Sequence, residues 1–130
     1  MKKLSIIPML FACYMGMGQA IDSASIIGRS IRIGNLEVAQ NDFPREMNFG
    51  EAERACYKLL KGWRLPTREE LNILYQNKNK IGGFKNTNYL SSPETTFNRA
   101  GAQDFANGYQ NDNDKPSTVY TAYIRVIRSF

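Results

Sequence analysis

Apolar residues alternate over residues 31–38: Ile31 and Ile33, then Leu36 and Val38, with Gly34-Asn35 between the two runs. A period of two marks half-buried strands. Gly-Asn between such runs predicts a tight hairpin, because glycine supplies the positive φ that the turn requires. The period lengthens over 48–61, where Phe49, Ala52, Cys56, Leu59 and Leu60 recur on one helical face. Asn48 and Glu51 form a capping box at its start, each satisfying an amide the helix leaves free. Gly62 stands where a left-handed residue ends a helix. A second box, Thr67 with Glu70, opens a helix over 67–77. Glu69 and Glu70 lie in its first turn, where the helix dipole favours negative charge. Pro66 can pack on Leu71 as a staple, and Leu71, Leu74 and Tyr75 form the buried side.

Between these helices runs Gly62-Trp63-Arg64-Leu65-Pro66-Thr67. Trp63 and Leu65 alternate with Arg64, so the segment reads as a short extended link. Trp63 becomes a core plug and Arg64 its charged neighbour, in need of a carboxylate or backbone carbonyls. Residues 40–48 form a polar loop with Pro44. Gly82-Gly83 breaks the chain, 87–92 reads as a short strand ending before Pro93, and 100–105 as another. Residues 107–117 read as a long polar loop. Residues 119–130 read as a closing strand whose β-branched and aromatic content suits a sheet interior. The fold class is α+β: two helices packed on twisted antiparallel strands, the sheet closed by N- and C-terminal strands.

The first twenty residues follow another logic. Lys2 and Lys3 precede an apolar run from Leu4 to Gly16, and Gly18-Gln19-Ala20 follows. This is the order of a bacterial secretory signal with cleavage after Ala20. The run is shorter than the roughly 20 residues a bilayer span needs, and Pro8 interrupts it. Leu10-Phe11-Ala12-Cys13 offers an alternative, a lipoprotein anchored at Cys13. The organisation is therefore a signal peptide at 1–20, a lead-in at 21–29 and one domain at 30–130. The expected location is secreted, periplasmic or at the cell surface, with no transmembrane segment after cleavage.

Export changes the charge and the cysteine arithmetic. Without Lys2 and Lys3, fifteen basic residues face twelve acidic ones, about +3. They are interspersed and carry no nucleic-acid motif, so no nucleic-acid partner is expected. The surplus suits a polyanionic glycan or simply a solvated surface. Cys56 stands alone once Cys13 has left, and its place on the apolar helix face makes it a buried small hydrophobe rather than a reactive thiol.

Histidine is absent from the chain. That removes the usual general base and the Ser-His and Cys-His nucleophile pairs. Glu69 and Glu70 are adjacent on a helix and do not face each other. Asp112 and Asp114 offer hard oxygen ligands, but their loop lacks the glycine and terminal glutamate of an EF-hand calcium loop. The chain reads as a binding module, not an enzyme, with no cofactor and no metal expected.

The order of these segments resembles the Lcl C-terminal-type domain, a family of secreted bacterial proteins long carried as a domain of unknown function. The specific part is the G-W-R-L-P-T-x-x-E-L run: Gly62, Trp63, Arg64, Leu65, Pro66, Thr67, Glu70 and Leu71. Ser91-Ser92, Phe105 to Gly108 and the Arg125–Arg128 pair follow in order. Leu90 stands where the family usually has tryptophan, Gly101 replaces an aromatic, and no cysteine near Arg128 can pair with Cys56. A similar G-W-x-L-P-T run marks C-type-lectin-like folds, including formylglycine-generating enzymes, whose cysteines are missing here. The resemblance implies a C-type-lectin-like fold. For the adhesin that names the family, it implies binding to sulfated glycans at the cell surface.

The expected partner is a glycan or envelope polymer, or a surface protein. The loop from 107 to 117 is the expected site, since binding residues favour loops on a rigid scaffold. Tyr109 would offer a flat face to a sugar ring; Gln110, Asn111, Asp112 and Asn113 would meet hydroxyls, and Lys115 a sulfate or carboxylate. Lys78, Lys80 and Lys85 are the next choice.

Overall fold

The computed structural model describes residues 22–95 and 99–130, without the side chains of 93–95 and 112–114. The signal segment 1–20, with its alternative at Cys13, lies outside the described residues. The described chain is α+β, with four helices and two antiparallel three-stranded sheets. In order it runs α1 (Ser23–Ile27), β1 (Ile31–Ile33), β2 (Leu36–Val38), α2 (Phe49–Leu59), α3 (Arg68–Gln76), α4 (Lys78–Ile81), β3 (Asn88–Thr95), β4 (Arg99–Asp104), β5 (Gln110–Pro116) and β6 (Ile127–Ser129).

Local signals set the first half as expected. Gly34, at φ 58°, turns the β1–β2 hairpin with Ile33 opposite Leu36. Both capping boxes close: Asn48 with Glu51 on α2, and Thr67 with Glu70 on α3. The lead-in is more than a tether. Asp22 caps α1 and Ile26 enters the core, so residues before 30 pack with the domain.

Helix α2 ends earlier than Gly62 implied. Leu60 itself takes φ 61° and Lys61 φ 58°, before Gly62 at 87°. Leu60 N–H donates to Tyr57 O, and Trp63 N–H donates back to Leu60 O. The reversal swings Leu60 off the apolar face, where it stands 62% exposed instead of buried. A non-glycine residue with positive φ is uncommon and strained. The turn leads directly into Trp63, which is buried.

Residues 122–127 organise the core. Ala122, Ile124 and Val126 face one cluster with Phe43, Met47, Phe49, Ala52, Leu59 and Trp63. Ile127 and Tyr123 face the other, with Leu71, Leu74, Tyr89 and Phe105. Extended backbone alternates its side chains, so one segment serves both clusters. Its backbone is also bonded on both flanks. Ala39, Phe43 and Met47 donate to Val126, Ile124 and Ala122 on one side; Leu90 donates to Tyr123 and Arg64 to Ile127 on the other. The expected closing strand over 119–130 is thus interior, as its composition implied, but only Ile127–Ser129 forms a ladder. Its partners change every few residues, which leaves the rest as single bridges.

Two further expectations are corrected. Strand β3 runs through Pro93 to Thr95, with a register shift between Ser91 and Thr95. A bulge tolerates proline because no ladder bond is asked of its nitrogen. The polar loop 107–117 is mostly strand β5, paired with β4 through Ala102↔Asn111 and Gln103↔Gln110. The sheet order is β3-β4-β5, so β5 has one neighbour. Pairing overrides the weak strand propensity of Asn and Asp at such an edge. The remaining turn is tight. Gly108, at φ 85°, lies so near the Tyr75 ring that a Cβ there would meet it at 2.6 Å.

Candidate functional site

The Trp63 link is braced from both ends. Trp63 is 7% exposed, and the Arg128 guanidinium lies 4.7 Å from its ring centroid. Arg128 is held by Glu37 Oε1 at 2.7 Å and by Lys61 O at 3.1 Å. Arg64 pairs its backbone with Ile127 and sends its guanidinium to Glu70 at 2.7 and 2.9 Å and to Ser129 Oγ at 2.9 Å. Glu70 Oε1 accepts Thr67 N–H at 2.9 Å, so one carboxylate closes both the cap and the ion pair. The hydrogen bond from Arg64, then that from the Thr67 backbone, holds the Glu70 carboxyl below its usual range against burial. Ser92 N–H donates to Pro66 O at 2.8 Å and ties β3 to the link. Gly62, Trp63, Arg64, Leu65, Pro66 and Thr67 with Glu70 therefore hold the fold together.

The same brace forms one side of a groove of about 250 Å³. Helix α2 contributes Glu53, Cys56 and Tyr57, the link Trp63, Arg64 and Leu65, and β3 Ser92. Glu53 and Tyr57 are four apart and neighbours on the helix surface. Tyr57 is 80% exposed, the most exposed large apolar side chain among the described residues. Burial, then the charge of Glu53, pushes the Cys56 thiol up to about 12. It stays protonated at neutral pH and is no nucleophile. The groove thus sets an accessible ring, a carboxylate and a serine beside Trp63 and Leu65, the mixture of apolar walls and few polar groups seen in ligand pockets.

The expected ligand residues separate in space and role. Tyr109 reaches solvent at 66% exposure, its N–H donating to Asn107 Oδ1. Gln110 turns inward and donates to Arg68 O at 2.8 Å and to Gln103 Oε1 at 3.1 Å. Gln103, fully buried, donates in turn to Asn72 Oδ1 and Gly108 O. This amide ladder fixes β5 to α3, so Gln110 is committed to the sheet. Asn111 lies in register with Ala102, and Lys115 is exposed but engaged within the protein. The side chains of Asp112 and Asn113 lie outside the described residues. Nor do the lysines gather: Lys78 Nζ donates to Phe105 O at 2.7 Å over the Tyr75 ring, Lys85 lies over Tyr123, and Lys80 is exposed.

Sequence reasoning missed Glu53, Tyr57 and Ser92 as a set. One signal was present: Tyr57 is a large aromatic residue off the apolar stripe of an amphipathic helix. Among the described residues no group of three or more His, Cys, Asp or Glu is placed to hold a metal, and no helix is long and apolar enough to cross a membrane. No protein-family model matches the chain, and no curated protein matches it.

Proposed function

We propose that this chain is an exported, non-catalytic binding module of C-type-lectin-like fold, resembling Lcl C-terminal-type domains, and that it takes a saccharide unit of a glycan or envelope polymer. The groove beside Trp63 is the place. One observation carries the reading: the open ring of Tyr57 sits with Glu53 and Ser92 around a 250 Å³ groove whose other wall is rigidly braced. A flat apolar face beside hydrogen-bonding groups suits a pyranose, which is itself apolar on one face and polar at its edge. The lectin-like assignment draws support from the β1-β2-β6 sheet, which joins the first and last strands among the described residues. Binding rather than catalysis draws support from the Cys56 thiol, held protonated in the groove wall.

Calorimetric titration with a panel of oligosaccharides tests the site. Tyr57→Ala should weaken binding by about tenfold, the scale of one aromatic contact. Its stability should stay within about 0.5 kcal/mol, as for other exposed substitutions. Loss of binding in Tyr109→Ala but not in Tyr57→Ala would move the site to the β4–β5 turn. The export part predicts a secreted chain beginning at Ile21 in mass spectrometry; a lipid on Cys13 would favour the anchored form. A second reading, a protein-binding surface, is favoured by Tyr57 and Leu60 standing exposed three residues apart. Its mark would be an envelope protein captured by the wild type and not by Tyr57→Ala.

A further inference from the structure

The charges around the groove are unequal, and that selects among saccharides. Its lining holds two charged side chains, Glu53 and Arg64. The Arg64 guanidinium is already matched by Glu70, which grips it through two hydrogen bonds of 2.7 and 2.9 Å, with Ser129 Oγ on the same nitrogen as the second. Glu53 forms no hydrogen bond or ion pair among the described residues. The groove therefore presents one uncompensated negative charge, next to the exposed face of Tyr57.

We infer that the groove prefers an amine-bearing saccharide, a hexosamine unit whose amino group is free rather than acetylated or sulfated. The reading rests on the saccharide site proposed above and adds its charge. A protonated amine can meet the Glu53 carboxylate while the same ring lies along Tyr57, whose π face is negative and attracts cations. Ser92 Oγ, bonded only at 3.4 Å to Leu65 O, has capacity left for a ring hydroxyl. A sulfated or carboxylated sugar would bring its negative charge against Glu53, with Arg64 unable to answer while Glu70 holds it. Exposed Arg54 and Lys58 flank Glu53 on α2 and Arg128 lies over Trp63, but of these positions only Glu53 belongs to the groove lining, where contact with a bound sugar is direct. A lysine side chain shares the amine and lacks the hydroxyl-bearing ring that Ser92 and Tyr57 together match.

The test compares three probes by calorimetry at mildly acidic pH, where a sugar amine is protonated: a fully deacetylated glucosamine oligomer, its N-acetylated counterpart of equal length, and a short lysine peptide. The free-amine oligomer should bind about fivefold tighter than the acetylated one, the scale of one exposed charge contact. The advantage should shrink with added salt. In Glu53→Gln the ratio of the two affinities should fall to about one. Equal affinities in the wild type, both weakened by Tyr57→Ala, would overturn this inference and leave the saccharide groove standing. A preference that survives Glu53→Gln would also overturn it. Tighter binding of the lysine peptide would overturn the sugar assignment. Failure of both oligomers, together with every other saccharide in the panel, would remove the groove reading itself.

Discussion

Asp42→Ala should destabilise the protein by about 3–5 kcal/mol, the cost of leaving a buried charge without its partner. The partner is Arg125, whose side chain is 0% exposed, against 9% for Asp42, so solvent screens little of the loss. Arg125 Nε donates to Asp42 Oδ1 at 2.8 Å, and its Nη1 donates to Ala39 O and Gly82 O at 3.2 and 3.1 Å. Phe84 lies 4.0 Å from the guanidinium carbon, and Nη2 has no hydrogen-bond partner. Asp42 Oδ2 also accepts the Tyr89 hydroxyl at 2.7 Å, so alanine strands two donors together. The carbonyls of Ala39 and Gly82 stay in place and keep the cost from rising further. Arg125→Met strands the Asp42 carboxylate in turn, but Asp42 keeps the Tyr89 hydroxyl and 9% exposure, so it should cost less than Asp42→Ala. The double variant should then be more stable than Asp42→Ala alone. Urea unfolding followed by fluorescence of Trp63, the only tryptophan, measures all three. A loss below about 1 kcal/mol for Asp42→Ala, or strictly additive effects, would refute the argument, because residues in one ion pair must couple.

Trp63→Ala should cost about 3–5 kcal/mol as a large core truncation, and Thr67→Ala about 1 kcal/mol as a lost helix cap; thermal melts followed by circular dichroism compare them. Glu70, with its carboxyl lowered in the fold by Arg64, binds a proton more weakly when folded than unfolded. Its contribution is full above its ordinary value of 4.5 and is lost as pH falls through that value toward the folded one, so urea midpoints should drop in acid, and less so in Glu70→Gln. Cys56 should resist iodoacetamide at neutral pH in the folded chain and react on unfolding, as mass spectrometry of the alkylated protein would show.

What the sequence made legible was local. The boxes at Asn48–Glu51 and Thr67–Glu70 and the Gly34 turn are decided by residues within a few positions of one another, and all formed. The helix face holding Cys56 and the burial of Trp63 follow from periodicity and size. Strand β5 was hidden because its composition favours turns and only its neighbour β4 makes it a strand. Arg125 stood out as one of a spaced arginine pair, but its burial depends on Asp42, 83 residues away. The groove is assembled in the same long-range way, from α2, the link and β3. Within the expected site at Tyr109 to Lys115, the inward turn of Gln110 was equally hidden, because its amide partners, Arg68 O and Gln103 Oε1, come from other elements.

The segment at 122–127 has a temporal consequence. Synthesis proceeds from the N-terminus, and domains fold as they emerge. Here both clusters wait on one late segment, for Ile124 and Val126 complete one and Ile127 the other. Without them, the amides of Ala39, Phe43, Met47, Arg64 and Leu90 lack the acceptors they have in the fold. A chain truncated after residue 120 should thus be captured by holdase chaperones and cut by protease, with α2 and α3 at most flickering as isolated helices. Restoring residues 121–130 should convert it, in one cooperative step, to a resistant fold.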